Sequence, residues 1–257
     1  MTQAHLDDRL LNYGDGHFTT LKVSGGKPLH WPRHLARLQE GCARLAMAPL
    51  NWQQLSDEVA ELARKQGQGG IKVLVSRGRG GRGYRPDAAM ASHYWLKAFD
   101  GPAHYPQWQQ QGIRVDILPV RLGHQPLLAG LKHCNRLEQV LASQCLESLR
   151  LDEGICLDQA GMLRSAVSAN LFWSKGGRLF TPGLILAGVA GIMRDLVMAQ
   201  RPVDQVDAGP EALAEADEIF LTNALMGVVP IRQLADRALA SGPVTRALQE
   251  ELNENTP

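Results

Sequence analysis

Residues 71–84 read IKVLVSRGRGGRGY, a β-rich run from Ile71 to Ser76 that breaks into a loop of glycine and arginine from Arg77 to Tyr84. A second strand-like run follows from His93 to Phe99, and the pair predicts a hairpin with the arginine loop at its tip. Two helix-like stretches precede it. Pro32 to Ala46 sets Leu35, Leu38 and Leu45 between Arg33, Arg37 and Arg44, the pattern of an amphipathic helix with one wet face, and Trp52 to Gln66 reads as a second helix. Beyond the hairpin, Asp100 to Gln111 is rich in Pro, Gly, Gln and aromatics without periodicity, which marks it as a linker. A strand from Ile113 to Leu118 opens the second half, and Lys132 stands just before a helix with apolar residues at 137, 140, 141 and 145. Strand-like runs from Glu153 to Leu157 and from Ala169 to Trp173 follow. Short strands alternating with helices predict an α/β protein, with one domain over residues 1–107 and a second over 108–257.

Two loops suit an anion. LAGVAGIMR, Leu186 to Arg194, leads into a helix ending near Gln200; its glycines let the backbone approach a ligand, and a helix start offers unpaired N–H groups and a positive dipole end. The same composition also suits a plain strand-to-helix turn. In the arginine loop, Arg77, Arg79 and Arg82 can fork onto carboxylates and Tyr84 can add a hydroxyl, although a merely solvated charged loop would read alike. RNA-binding arginine–glycine segments are long and repeated, and this one is short and held between two strands. His17, in GDGHFTT, is either a cleft residue or part of a surface loop.

Composition narrows the partners. Hydrophobic residues make up 44% and charged residues 21%, and the net charge of +1 gives no broad pull toward nucleic acid or membrane. Any anion must therefore be met locally. The four cysteines, Cys42, Cys134, Cys145 and Cys156, form neither a C-x-x-C pair nor a cluster with histidine, and His30 and His34 lack a third ligand, so no metal is expected. Met1 to Gly16 carries three acidic residues and no apolar segment, and no stretch reaches the roughly 18 apolar residues of a membrane span. These features predict a protein of the reducing cytoplasm.

Several segments carry a family resemblance: YGDGHFTT from Tyr13, SRGRGGRGY from Ser76, GLKHCNRLEQV from Gly130, ANLFW from Ala169 with AGVAGIMR, and NALMGVVPI from Asn223. In this order they resemble the fold-type IV pyridoxal-phosphate enzymes and, among them, the aminodeoxychorismate lyases. The resemblance implies a small N-terminal α/β sandwich, a larger barrel-like C-terminal α/β domain and a homodimer with its active site in the cleft between domains. It implies conversion of 4-amino-4-deoxychorismate to 4-aminobenzoate and pyruvate, a step of folate biosynthesis. It also implies that Lys132 holds pyridoxal 5'-phosphate and shuttles protons, a task that needs a neutral amine. Arg37 resembles the arginine that meets the cofactor phosphate, with the N–H groups of Ile192 and Met193 and with Asn223 and Ala224 completing the cup. Thr19 or Thr20 would protonate the leaving group, and Arg82, Tyr84 and His17 are candidates for contact with substrate.

Two positions depart from the family pattern. Members usually place a glutamate at the pyridine nitrogen where this chain has Ser165, and neither Arg164 nor Ala166 supplies a carboxylate. A serine can hydrogen-bond a neutral ring but cannot hold a proton on it by charge, so the ring becomes a weaker electron sink. That leaves a lyase whose reaction tolerates a neutral ring, or an impaired cofactor-binding relative. The D- and branched-chain amino acid aminotransferases of the same fold are a further alternative, disfavoured because they usually carry glutamate where this chain has Thr19. Members also begin with a strand ahead of the DR…YGDG segment, and here only Met1 to Leu6 precede Asp7, so the first sheet is expected to have a frayed or missing edge.

Overall fold

A computed structural model of the protein describes residues 5–87 and 90–254. The chain divides into two compact units: the first runs to Pro102 and takes back Leu131–Asn135, and the second holds Ala103–Gly130 and the chain from Arg136 onward.

The first unit contains α1 (Arg9–Tyr13), β1 (Gly16–Ser24), β2 (Lys27–Pro28), α2 (Trp31–Arg44), α3 (Trp52–Gln66), β3 (Gly69–Ser76) and β4 (His93–Phe99). Its antiparallel sheet has the order β2-β1-β3-β4, so the predicted hairpin of β3 and β4 is present. Burial alternates along β1. Leu21 and Val23 join Ile71, Val73 and Val75 of β3 in a core closed by Leu38 of α2 and Leu55, Val59 and Ala63 of α3. α3 begins where the Asn51 side chain accepts the Gln54 N–H at 3.1 Å and ends at Gly67, whose φ of 69° few other residues adopt. Among the described residues no strand precedes α1, and the N-terminal end of β1 is flanked instead by the returning segment. The Phe18 N–H donates to the Lys132 carbonyl at 2.9 Å, and the Cys134 N–H to the Gly16 carbonyl at 3.0 Å.

The second unit contains α4 (Tyr105–Gln111), β5 (Ile113–Leu122), α5 (Leu137–Leu149), β6 (Glu153–Asp158), β7 (Leu163–Ala166), β8 (Asn170–Lys175), β9 (Arg178–Pro182), α6 (Ile192–Gln200), β10 (Asp204–Val206), α7 (Glu211–Ala214), β11 (Glu218–Asn223), β12 (Gly227–Leu234), β13 (Arg237–Ala238) and α8 (Pro243–Glu254). Its mixed sheet runs β10-β9-β8-β11-β12-β5-β6-β7, with β13 on β12. Successive residues feed opposite faces. Leu171, Leu221 and Val229 pack with Ile113 and Ile155, whereas Phe172, Phe220 and Val228 pack with Val197 of α6 and Leu248 of α8. Burial on both faces explains why these strands are nearly continuous apolar runs.

Three expectations are corrected. The stretch expected to be an irregular linker holds α4: a proline enters its first turn, glutamines continue it, Tyr105 and Trp108 pack on the core, and Gly112 at φ 73° ends it. β5 continues past Leu118 to Leu122, with a shift in its pairing to β6 between Ile117 and Arg121, where Pro119 cannot donate to the ladder. Of the four apolar residues that announced α5, Leu137, Val140 and Leu141 do not enter this chain's core, being 77%, 51% and 55% exposed, whereas Cys145 packs with Leu118 and Ala142.

Candidate active site

The backbone ahead of Lys132 is fixed by the loop before α6: the Gly130 N–H donates to the Gly188 carbonyl at 3.0 Å and the Ala190 N–H to the Gly130 carbonyl at 3.0 Å. Gly130 has φ 83°, which a side chain would strain. Residues 131–135 then join the first unit, where His17 and His133 form an antiparallel bridge. The Lys132 Nζ lies 4.7 Å from the centre of the Phe18 ring, and the Lys72 Nζ lies 4.5 Å from the same ring. Strand alternation puts Phe18 and Thr20 on one face of β1, and Lys72 is the register partner of Thr20. One sheet face thus carries an amine, a hydroxyl and a second cation.

Thr19 points the other way, into the core. Its Oγ1 lies 2.6 Å from His34 Nδ1 and 3.5 Å from an Arg37 guanidinium nitrogen. Burial, together with the charges of Arg37, His30 and Lys132, pushes the His34 pKa down to about 3. His17 is also buried on this face rather than lying in a surface loop; its ring stands 3.5 Å from Cys42 Sγ, and desolvation lowers its pKa to about 4. Gly41 is required beside it, because a Cβ there would come within 2.5 Å of the ring.

The arginine loop is anchored at its base. Asp15 Oδ2 accepts from both Arg9 and Arg77 at 2.7 Å. Burial alone would raise the Asp15 pKa, but hydrogen bonds and charge from Arg77 and Arg9 outweigh it and hold the carboxyl below its usual range. Arg77 also donates to the Leu45 and Ala46 carbonyls, so it is structural and not part of an anion grip as expected. Arg9 reaches the tip through the Gly83 and Tyr84 carbonyls at 3.0 and 2.7 Å, and Tyr13 meets the Tyr84 ring edge-on at 5.4 Å. Arg82 and Tyr84 are themselves exposed.

In the second unit, α6 starts at Gly191, which has no side chain to cap the first-turn N–H groups, those of Ile192 and Met193 among them. Asn170 Nδ2 donates to the Val189 carbonyl at 2.8 Å, and a Cβ on Gly191 would come within 1.9 Å of Asn170 Oδ1. Asn223 Oδ1 accepts the N–H groups of Leu225 and Met226 at 2.9 and 2.8 Å, which closes the turn containing Ala224. The neighbouring Thr222 Oγ1 is buried and, among the described residues, has no hydrogen-bond partner. An uncapped helix start and an orphaned buried hydroxyl are what a bound phosphate would satisfy.

Ser165 is 9% exposed on β7. Arg164 beside it is bound to Asp158 and Asp207. The buried carboxylate nearby in sequence, Glu153, is occupied by the N–H groups of Gly154, Val167 and Ser168 and by the Ser168 hydroxyl at 2.6 Å. Desolvation raises its pKa in spite of these bonds. It pins the turn between β7 and β8.

Lys72 and Thr222 were not singled out by sequence, His34 was weighed only with His30 as a metal ligand, and Asn170 entered only as part of the ANLFW segment. A lysine alternating with apolar residues in IKVLVS, and a histidine three residues before Arg37, were the signals available.

The amino-transferase class IV family matches residues 16–234. The chain is 37% identical to an aminodeoxychorismate lyase of Vibrio harveyi over 98% of this chain and 96% of that one. It is 23% identical to a D-alanine aminotransferase of Bacillus licheniformis over 97% and 90%. The crystal structure of 4-amino-4-deoxychorismate lyase from Pseudomonas aeruginosa superposes with a TM-score of 0.94 at 40% identity, covering 99% of this chain and 96% of that one. Branched-chain amino acid aminotransferase of Escherichia coli shares the fold at a TM-score of 0.89 and 23% identity, over 99% and 90%. Matched by the family over residues 16–234 and 37% identical to one of the lyases over 98% of its length, the chain belongs to the amino-transferase class IV family.

Proposed function

We propose that the protein is a pyridoxal-phosphate-dependent aminodeoxychorismate lyase that converts 4-amino-4-deoxychorismate to 4-aminobenzoate and pyruvate. The observation that carries the proposal is the sheet face on which the Lys132 amine and Lys72 share the Phe18 ring beside Thr20. The residues suit the cofactor: Lys132 offers an amine for its aldehyde, while Arg37, the start of α6 and the turn at Asn223 and Ala224 offer donors to its phosphate. When bound, pyridoxal phosphate supplies an electron sink for the carbon that loses a proton. Lys132 would serve as the base that takes the proton from the amine-bearing carbon. As the adjacent C–O bond breaks and the ring becomes aromatic, the Thr20 hydroxyl, on the Phe18 face of β1, would protonate the departing enolpyruvyl group and take back the proton that Lys132 removed. Lys72 and the loop residues Arg82 and Tyr84 would hold substrate carboxylates.

Ser165 fits this reaction, because aromatisation drives the elimination and relieves the demand on the ring. In the cell the activity would supply folate biosynthesis in the cytoplasm, where the free cysteines would remain reduced. The exposed Leu137, Val140 and Leu141 of α5, at i, i+3 and i+4, form an apolar stripe that a second copy would cover, which supports a homodimer.

The test is to load the protein with pyridoxal phosphate, desalt it and supply aminodeoxychorismate. Wild type should keep the absorbance of lysine-bound cofactor and release 4-aminobenzoate, and Lys132→Ala should do neither. Turnover only when a keto acid is added would identify an aminotransferase instead, and retained cofactor with no product an inactive relative.

A further inference from the structure

We infer that His34 is a positioning residue for the cofactor phosphate, acting through the hydroxyl of Thr19 on the guanidinium of Arg37. The inference rests on the assignment of Arg37 to that phosphate.

Its basis is a buried three-member chain that links Arg37, the Thr19 hydroxyl and the His34 ring. Arg37 has only N–H donors, so the Thr19 oxygen 3.5 Å away accepts from it. In the tautomer with the ring proton on Nε2, the Thr19 hydroxyl donates to His34 Nδ1 at 2.6 Å while its oxygen accepts from Arg37, so the three groups form one continuous chain. A protonated ring would present N–H to Thr19 and place a second positive charge beside Arg37. The charged and titratable groups felt by the ring are Arg37, His30 and Lys132, all basic, and burial acts with them to keep the imidazole neutral at every working pH. Both Thr19 and His34 are sealed from solvent, at 0% and 1% exposure, so water does not compete for the chain.

Local structure enforces the geometry. His34 and Arg37 lie three apart on α2 and share a helix face, and Thr19 is on the side of β1 that α2 covers. An arginine carries several rotatable bonds whose freezing opposes ligand binding, so one fixed beforehand binds phosphate at lower entropic cost. Sequence alone reads His34 as a lone histidine on an amphipathic helix.

The decisive measurement compares pyridoxal phosphate with pyridoxal, which offers Lys132 the same aldehyde without the phosphate. His34→Leu should weaken pyridoxal phosphate binding about 10-fold, as expected for one lost hydrogen bond to a charged network. Pyridoxal binding should stay within about twofold, well inside the effect of one hydrogen bond. Thr19→Val should behave like His34→Leu, and Thr19→Ser, which keeps the hydroxyl, should restore wild-type affinity. Should His34→Leu fail to fold, the two Thr19 variants carry the test. Equal weakening of both ligands would mean a purely structural role and overturn the proposal, as would loss in Arg37→Met with no loss in His34→Leu and Thr19→Val. If Arg37→Met itself binds pyridoxal phosphate normally, the assignment of Arg37 fails and the proposal with it.

Discussion

In the proposed function Ser165 meets the pyridine nitrogen of the cofactor, and a neutral hydroxyl there would not keep that nitrogen protonated. An elimination that ends in an aromatic ring tolerates this; transamination, which depends more on the electron sink, does not. Ser165→Glu should therefore raise keto-acid formation from D-alanine by at least about 10-fold, the equivalent of one pKa unit of charge stabilisation. Wild-type transamination comparable with the lyase rate would contradict this. Thr20→Val should lower kcat by about 100-fold, the usual worth of a positioned proton donor, with little change in KM. Lys132 was legible from its motif, but Thr19 and Thr20 are adjacent and alike, and only the pleat of β1 separates the core-facing hydroxyl from the one beside Phe18. Lys72 escaped for a similar reason: a lysine in a strand ordinarily marks a solvated face, and its place over Phe18 follows from register with β1.

Among the elements, α6 and the arginine loop are held by contacts that a short substitution can break. Gly191→Val puts a branched side chain where even a Cβ lies 1.9 Å from Asn170 Oδ1, so the helix start must shift. Pyridoxal phosphate affinity, followed by absorbance, should fall at least about 10-fold, the worth of a misplaced charge-assisted hydrogen bond. Asp15→Asn removes the charge that Arg9 and Arg77 share, and should raise KM for aminodeoxychorismate more than it lowers kcat; unchanged kinetics would mean that the loop does not touch substrate. Leu137→Glu with Leu141→Glu should convert a dimer to monomer in sedimentation, and an unchanged mass would remove α5 from the interface. Elements with strong periodicity, α2, α3, β3 and β4, were readable nearly to their ends. α4 was not, because its helix depends on aromatic packing against the core rather than on a repeating pattern, and β9, β10 and β13, with five, three and two residues, are too short for a period to show.

For the whole molecule, one core on the first sheet and cores on both faces of the second carry the fold, and the α/β class was readable from the alternation of short strands and helices. Burial that sequence does not reveal sets the response to acid. His17 and His34 titrate near 6.5 when unfolded but are held to about 4 and about 3 when folded. Below about pH 6.5 the unfolded chain therefore binds protons that the folded one refuses, and stability falls as pH falls, by on the order of 1 kcal/mol per unit for each histidine. Asp15, held low against burial by Arg77 and Arg9, and Asp158, held low against burial by the Met162 N–H, His124 and Arg164, add loss in the same direction at still lower pH, while Glu153, raised by burial, works oppositely above its ordinary value. Thermal unfolding at pH 7, 6 and 5 should show a smaller drop for His17→Gln than for wild type; parallel drops would mean that His17 is protonated in the fold. The most direct test of the central claim is to incubate cofactor-loaded protein with aminodeoxychorismate, with no keto acid present, and to quantify both products. Equimolar 4-aminobenzoate and pyruvate over many turnovers is the predicted result, and a loaded enzyme that releases neither would contradict the account.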